Sequence, residues 1–114
     1  MMTSTVNMDA LENARQLIQD GKYRINTMWK TAQPSTAEID QFRKRAGGDE
    51  FSKWFLVMDD QKSEADPNFA LGDFRNVHRS GLQNIKRHAE KEGRSDVVNA
   101  ANELIDLIDH FNAC

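Results

Sequence analysis

The stretch DFRNVHRSGLQNIKRHAEKEGRSDVVNAANELIDLIDHFN, residues 73–112, decides the fold. In its second half Val97, Ala101, Leu104, Ile108 and Phe111 recur at alternating spacings of four and three, a narrow apolar seam that Val98 and Ile105 widen on one side. Glu103, Asp106 and Asp109 take the opposite face, so the spacing predicts a helix from Asp96 to Asn112 with Ser95 as its cap. Asp73 reads as the N-cap of a preceding helix, Phe74 to Glu92, which carries Phe74, Val77, Gly81 and Ile85 on its buried side and stops at Gly93. So short a joint makes the two helices antiparallel neighbours, an αα-hairpin. Glycine inside a helix costs up to about 1 kcal/mol relative to alanine, so Gly81 is expected to let the last helix approach closely, opposite Ala100 or Ala101.

Toward the N-terminus, Leu11, Ala14, Leu17 and Ile18 predict a helix over Met8 to Asp20, with Asn7 as N-cap, Asp9 and Glu12 near the positive end and Gly21 beyond. Lys22 to Gln33, which holds Tyr23, Ile25, Met28 and Trp29, fits neither period and reads as a connector whose residues 23–25 alternate as a short extended piece would. Pro34 is followed by Ser35-Thr36-Ala37-Glu38, a capping box that opens a helix running to Gly47-Gly48. Ile39 and Phe42 lie on one side of it, and Arg43-Lys44-Arg45 sit at its negative end. Asp49 can cap a further helix in which Phe51, Trp54, Phe55 and Met58 form a core stripe, with a buried strand through the apolar run 54–58 as the alternative. Asp59 to Phe69, closing in Asp66-Pro67-Asn68, reads as a loop without the ligand spacing of a calcium site. The fold class expected is therefore all-α: a single domain over 1–114 with four to five helices, a possible extended segment near 22–29, and a disordered N-terminus at 1–6.

Composition narrows the function classes. A chain of 114 residues with 15 basic and 18 acidic side chains has a formal charge of -3, which is neither the global charge of a nucleic-acid binder nor that of an acidic mimic. Mean hydropathy is -0.72, and no run approaches the roughly 20 apolar residues of a membrane span. The start MMTSTVNMD lacks the basic and apolar parts of a signal peptide, so the expectation is a cytoplasmic protein with no membrane partner. The lone cysteine, Cys114, can form no internal disulfide.

Chemistry-bearing motifs are few. On a helix from Phe74 to Glu92, His78 and His88 would border the apolar face about 15 Å apart along the axis, too far to ligate one metal together. Each reads as a packing histidine, and His110 as a helix-end cation. The phosphate-loop, dinucleotide, nucleophile-elbow and zincin motifs are all missing, so no catalytic residue, metal or cofactor is expected. On the same helix Arg75, Arg79 and Lys86 would form a basic stripe with Arg87 nearby, able to meet phosphates or an acidic partner. A helix-turn-helix reading fails, because the second helix would bring Asp96, Glu103, Asp106 and Asp109 to the major groove.

The segment Gly72-Asp73-Phe74-Arg75-Asn76-Val77-His78-Arg79-Ser80-Gly81-Leu82, preceded by Lys53-Trp54-Phe55-Leu56 and Pro34-Ser35-Thr36-Ala37-Glu38, resembles a group of small bacterial and phage-associated proteins. The resemblance spans residues 22–108 and departs at Asn68-Phe69-Ala70-Leu71, where that group is more basic and aromatic. It implies that Asp73, His78 and Arg79 form a shared feature, and it assigns that feature no activity.

The expected function is a non-enzymatic protein-interaction module, in the resemblance's setting an inhibitor or regulator of the phage or mobile-element type. Tyr23, Trp29, Arg75, Arg79, Lys86 and Arg87 are its candidate contact residues, since Trp, Tyr and Arg favour hot spots. Homodimerisation through the last helix is the simplest version. The alternative is nucleic-acid or phosphate binding through the basic stripe of helix 74–92.

Overall fold

The seam read at the C-terminus is buried: Val97, Ala101, Leu104 and Ile108 are all fully enclosed along helix α6, Ser95–Asn112. Only its last member, Phe111, remains 37 % exposed. A computed structural model of the chain describes residues 6–59, 64–65 and 69–112, and it is mostly helical, as expected. Asp66-Pro67-Asn68, Cys114 and residues 1–5 lie outside the described residues, while Val6 packs half-buried against the core.

Helix α5, Arg79–Glu92, precedes α6 through Gly93 and Arg94 and buries Leu82, Ile85 and Ala89 against it. The Arg79 guanidinium, in the first turn of α5, grips both oxygens of Asp109 near the end of α6 at 2.8 and 3.0 Å. Helix α1, Met8–Gln19, lays Ala10, Leu11, Ala14 and Ile18 on the same core, and Arg15 pairs with Glu103 of α6. Asn7 caps α1 by position, but its side chain does not bond the helix. It reaches across instead to the carbonyls of Ser52 and Phe55 at 2.8 and 3.1 Å, while its own N–H donates to Leu56 O at 2.7 Å.

The start of α5 corrects the sequence expectation. Residues 73–78 are not helical: the chain folds back between Gly72 and Val77, and the Asp73 Oδ1 that was expected to cap a helix accepts the N–H groups of Arg75 and Asn76 at 3.1 and 2.9 Å. Short acidic side chains offer the backbone this local alternative to a helix. Phe74 takes φ 68°, a left-handed conformation that costs a bulky residue roughly 1–2 kcal/mol. Gly72 is obligatory in this turn, because a Cβ there would lie 1.9 Å from Asn76 O.

Val77 and His78 form strand β4, which pairs in parallel with β1, Tyr23–Arg24, in the register Tyr23 to Val77 and Arg24 to His78. On its other side the His78 N–H donates to Leu71 O at 3.1 Å. Leu71 N–H in turn donates to Trp54 O at 2.8 Å, and Leu56 N–H to Phe69 O at 2.9 Å. Backbone hydrogen bonds thus join segments 54–57, 69–72, 77–78 and 22–24 into an irregular, partly extended layer. The helix expected through Met58 ends at Ser52, and the alternative strand through 54–58 is not continuous either: Phe55 makes an isolated antiparallel bridge to Ala70, and a two-residue strand begins only at Met58. The helix there, α4, is short, Gly48–Ser52, with Gly47 as its cap and Asp49 inside its first turn. Met58–Asp59 (β2) and Glu64–Ala65 (β3) pair antiparallel within the stretch expected to be loop.

A second, aromatic core of Trp29, Phe51, Trp54, Phe55 and Ala70 lies beside the first. Helix α3, Thr36–Ala46, opens with the capping box as read, Glu38 N–H to Ser35 Oγ and Ser35 N–H to Glu38 Oε1, both at 3.2 Å. It rests on this core through half-buried Ile39 and Phe42. Gly81 faces this side too. A Cβ there would sit 2.9 Å from Cζ3 of Trp29, so the close approach predicted for Gly81 is made by the indole on α2, Trp29–Ala32, and not by α6.

Gly81→Ala is therefore expected to destabilise the protein by about 1–3 kcal/mol in urea denaturation, because overpacking outweighs alanine's better helix propensity. Adding Trp29→Leu should shrink that penalty. A Gly81→Ala protein more stable than wild type would contradict the packing described.

Candidate functional site

The extended layer and α5 together position one segment, residues 22–33, on the surface. Lys22 O accepts the Val77 N–H at 3.1 Å, which fixes where the segment begins. Five residues on, the Thr27 hydroxyl lies 2.7 Å from His78 Nδ1. Trp29 then turns inward, 8 % exposed, its ring against Gly81 and its centroid 6.0 Å from that of His78. His78 is the hub of these contacts and only 3 % exposed.

The other face of the His78 ring system meets the turn. Nε2 lies 3.1 Å from Asp73 Oδ2, close enough for charge to matter but off the line of a well-formed hydrogen bond. Burial works against the charge on Asp73, yet the Asn76 N–H, the adjacent His78 ring and the Arg75 N–H outweigh it. Its carboxyl consequently titrates below the ordinary 3.8. Hydroxyl, imidazole and carboxylate are the group types of a nucleophilic triad, but both ring nitrogens are enclosed and face Thr27 and Asp73. The arrangement works as a clamp between the arm and the turn.

Two concavities flank α2. On one side Thr27, Met28, Thr31 and Ala32 line an apolar hollow of about 420 Å³. Beside it, Met28 is 71 % exposed, and Ile25, earlier on the arm, 37 % exposed. On the other side a polar groove of about 450 Å³ runs between α3 and the Gly72–Asn76 turn, floored by Phe42 and Phe74.

The residues singled out from sequence are dispersed by the fold. Asp73 and His78 do meet, whereas Arg79 turns away to Asp109, whose carboxyl it holds below its ordinary value. Trp29 is buried and Tyr23 half-buried against the first core, so neither ring is an exposed anchor. The basic stripe does not exist as drawn: Arg75 lies off the helix, Arg79 is paired, Lys86 is half-buried and Arg87 alone of the four is exposed on α5. His88 is half-buried on α5 and, with the helix starting at Arg79, shares no helix face with His78. Thr27, Ile25, Met28 and Arg45 were missed as site residues: Ile25 and Met28 were read only as part of the connector, and Arg45 only as one of three helix-end cations. Among the described residues no group of His, Cys, Asp or Glu side chains converges as metal ligands, and no helix is long and apolar enough to cross a membrane. Comparison with protein-family models, curated proteins and solved structures finds no match to this chain.

The depressed Asp73 carboxyl makes a signed prediction. A group whose folded pKa is lowered stabilises the fold above its unfolded value, and that contribution fades as pH falls through the folded one. Wild type should thus exceed Asp73→Ala by about 1–2 kcal/mol at pH 7, from the two lost N–H acceptor contacts and the charge. The margin should begin to narrow as pH drops below about 3.8. Chemical denaturation of both proteins between pH 2.5 and pH 7 (roughly the range over which a carboxylate titrates) checks this, and a margin that widens at low pH would refute it.

Proposed function

We propose that the chain is a non-enzymatic protein-interaction module that presents the arm 22–33 to a protein partner. The observation that carries this reading is Met28, 71 % exposed beside a partly exposed Ile25, on an arm fixed from beneath by Lys22, Thr27 and Trp29. A chain gains nothing in stability from an apolar side chain held in water. It does gain a preorganised contact, because a fixed arm loses less conformational freedom on binding than a loose one. Methionine suits such a contact, being flexible and polarisable.

In this reading α5 and α6 act as an antiparallel αα-hairpin, a rigid frame on whose Gly81 face the arm is seated. The enclosed His78 argues against acid–base catalysis, which needs a ring nitrogen within reach of substrate. Within this proposal the protein is a cytoplasmic inhibitor or regulator that acts by binding; the resemblance of the Gly72–Leu82 segment suggests only the phage or mobile-element setting.

A photo-crosslinking side chain placed at Met28, and as a control at Arg87, tests the proposal in native-host extract. A discrete adduct is expected from position 28 and not from 87, and Ile25→Asp should abolish it. The adduct mass distinguishes a second copy from another protein. Met28→Asp should leave stability within about 0.5 kcal/mol of wild type, since the residue touches no core. Identical adducts from both positions, or none from 28, would overturn the reading.

A further inference from the structure

We propose that the groove between α3 and the Gly72–Asn76 turn is a binding site for a small oxyanion-bearing molecule, a carboxylate or a phosphate, held by Arg45 and Arg75. The inference does not rest on the arm's binding a partner, although Thr31 and Gln33 at the end of the arm line the groove.

The groove's charges are unequally engaged. Both carboxylates that line it already have partners within the chain: Glu38 Oε1 accepts the Ser35 N–H at 3.2 Å, and Asp73 accepts the Arg75 and Asn76 N–H groups while facing His78. Its guanidiniums do not. Arg15, Arg43, Arg79 and Arg94 each hold a carboxylate, whereas among the described residues neither Arg45 nor Arg75 has one within ion-pair distance. The formal charges along the groove sum to zero, but its carboxylate oxygens are engaged by backbone N–H groups while its two guanidiniums have no ion-pair partner among the described residues, and a guanidinium's planar fork matches carboxylate and phosphate.

Each cation is also carried beside a fixed aromatic ring. The Arg45 guanidinium lies 5.7 Å from the Phe42 ring centroid, and Phe42 stacks on Phe74 at 4.3 Å and 7°. The ring attracts the cation there and leaves its N–H groups free to donate. At the far end Phe74 is kept at φ 68° by a turn that Gly72 and Asp73 build, and Arg75 is the next residue. Strain of this kind in a bulky residue persists where its surroundings impose it, and it is common at ligand clamps. Gln33, Gln41 and Thr31 supply further polar groups, and a volume of about 450 Å³ is ample for a small metabolite-sized anion.

Titration of ¹⁵N-labelled protein with sodium phosphate, and separately with sodium succinate at constant ionic strength, tests this. Saturable shifts are expected at the amides of Gln41–Arg45 and Asp73–Asn76, with a Kd on the order of millimolar for such fragments. Arg45→Gln and Arg75→Gln should each weaken binding by about tenfold, and Arg87→Gln should leave it unchanged. Tighter phosphate binding would identify a phosphate ligand, and tighter succinate binding a carboxylate. Non-saturating shifts with both salts, or equal affinity in all three variants while their remaining spectra match wild type, would overturn the proposal.

Discussion

The placement of His78 is the constraint on which the rest of the structure depends. Its backbone lies between two extended neighbours, with its N–H on Leu71 O and its residue paired in register with Arg24. The ring is enclosed between the Thr27 hydroxyl and the Asp73 carboxylate, against Trp29. A buried imidazole without partners would cost on the order of 1–3 kcal/mol, so these contacts must form together or the core must open. Because they come from residues far apart in sequence, closing them fixes the arm, the turn and the start of α5 at once. The indole seated on Gly81 and the Phe74 ring seated on Phe42 extend the same joint into the aromatic core.

This joint explains why the protein has two surfaces of different character on either side of α2. The arm is held flat on α5 by its inward-facing residues, which leaves Ile25 and Met28 to the solvent. The turn is held by Asp73, whose Oδ1 is occupied by the Arg75 and Asn76 N–H groups, and the Arg75 side chain beside it is left without an acidic partner among the described residues. A single set of interior contacts around His78 therefore borders both an apolar hollow and a polar groove that carries two unpaired guanidiniums.

Local signals in the sequence were reliable where local physics decides. The Ser35–Glu38 box, the heptad-like seam of α6 and the stop at Gly93 need only neighbours within a few residues, and each appears where the spacing placed it. Residues 73–78 were misread for an instructive reason. Phe74, Val77, Gly81 and Ile85 satisfy the helical period, but Val77 is buried from a strand and Gly81 from a helix. Periodicity cannot register a break that leaves the phase intact, and pairing of Val77 with Tyr23 is a long-range contact no short window contains. The glycine at 81 did announce close packing, though its partner, Trp29, could not be named from the helix alone. The candidate site was legible only as isolated letters: Asp73 and His78 stood out, whereas Thr27 and Arg45 acquire meaning through the fold.

Native-state hydrogen exchange of the Val77 and His78 amides, compared with Leu104 in the core of α6, tests the joint most directly. These two N–H groups donate to Lys22 O and Leu71 O, so their protection reports whether the extended layer opens independently of the helices. If His78 locks the arm and turn to the core, both amides exchange only with global unfolding, at the same free energy as Leu104, and Thr27→Val lowers their protection selectively. Exchange of Val77 and His78 at a free energy well below that of Leu104 in the wild-type protein would mean that the arm is loosely attached, and would contradict the account.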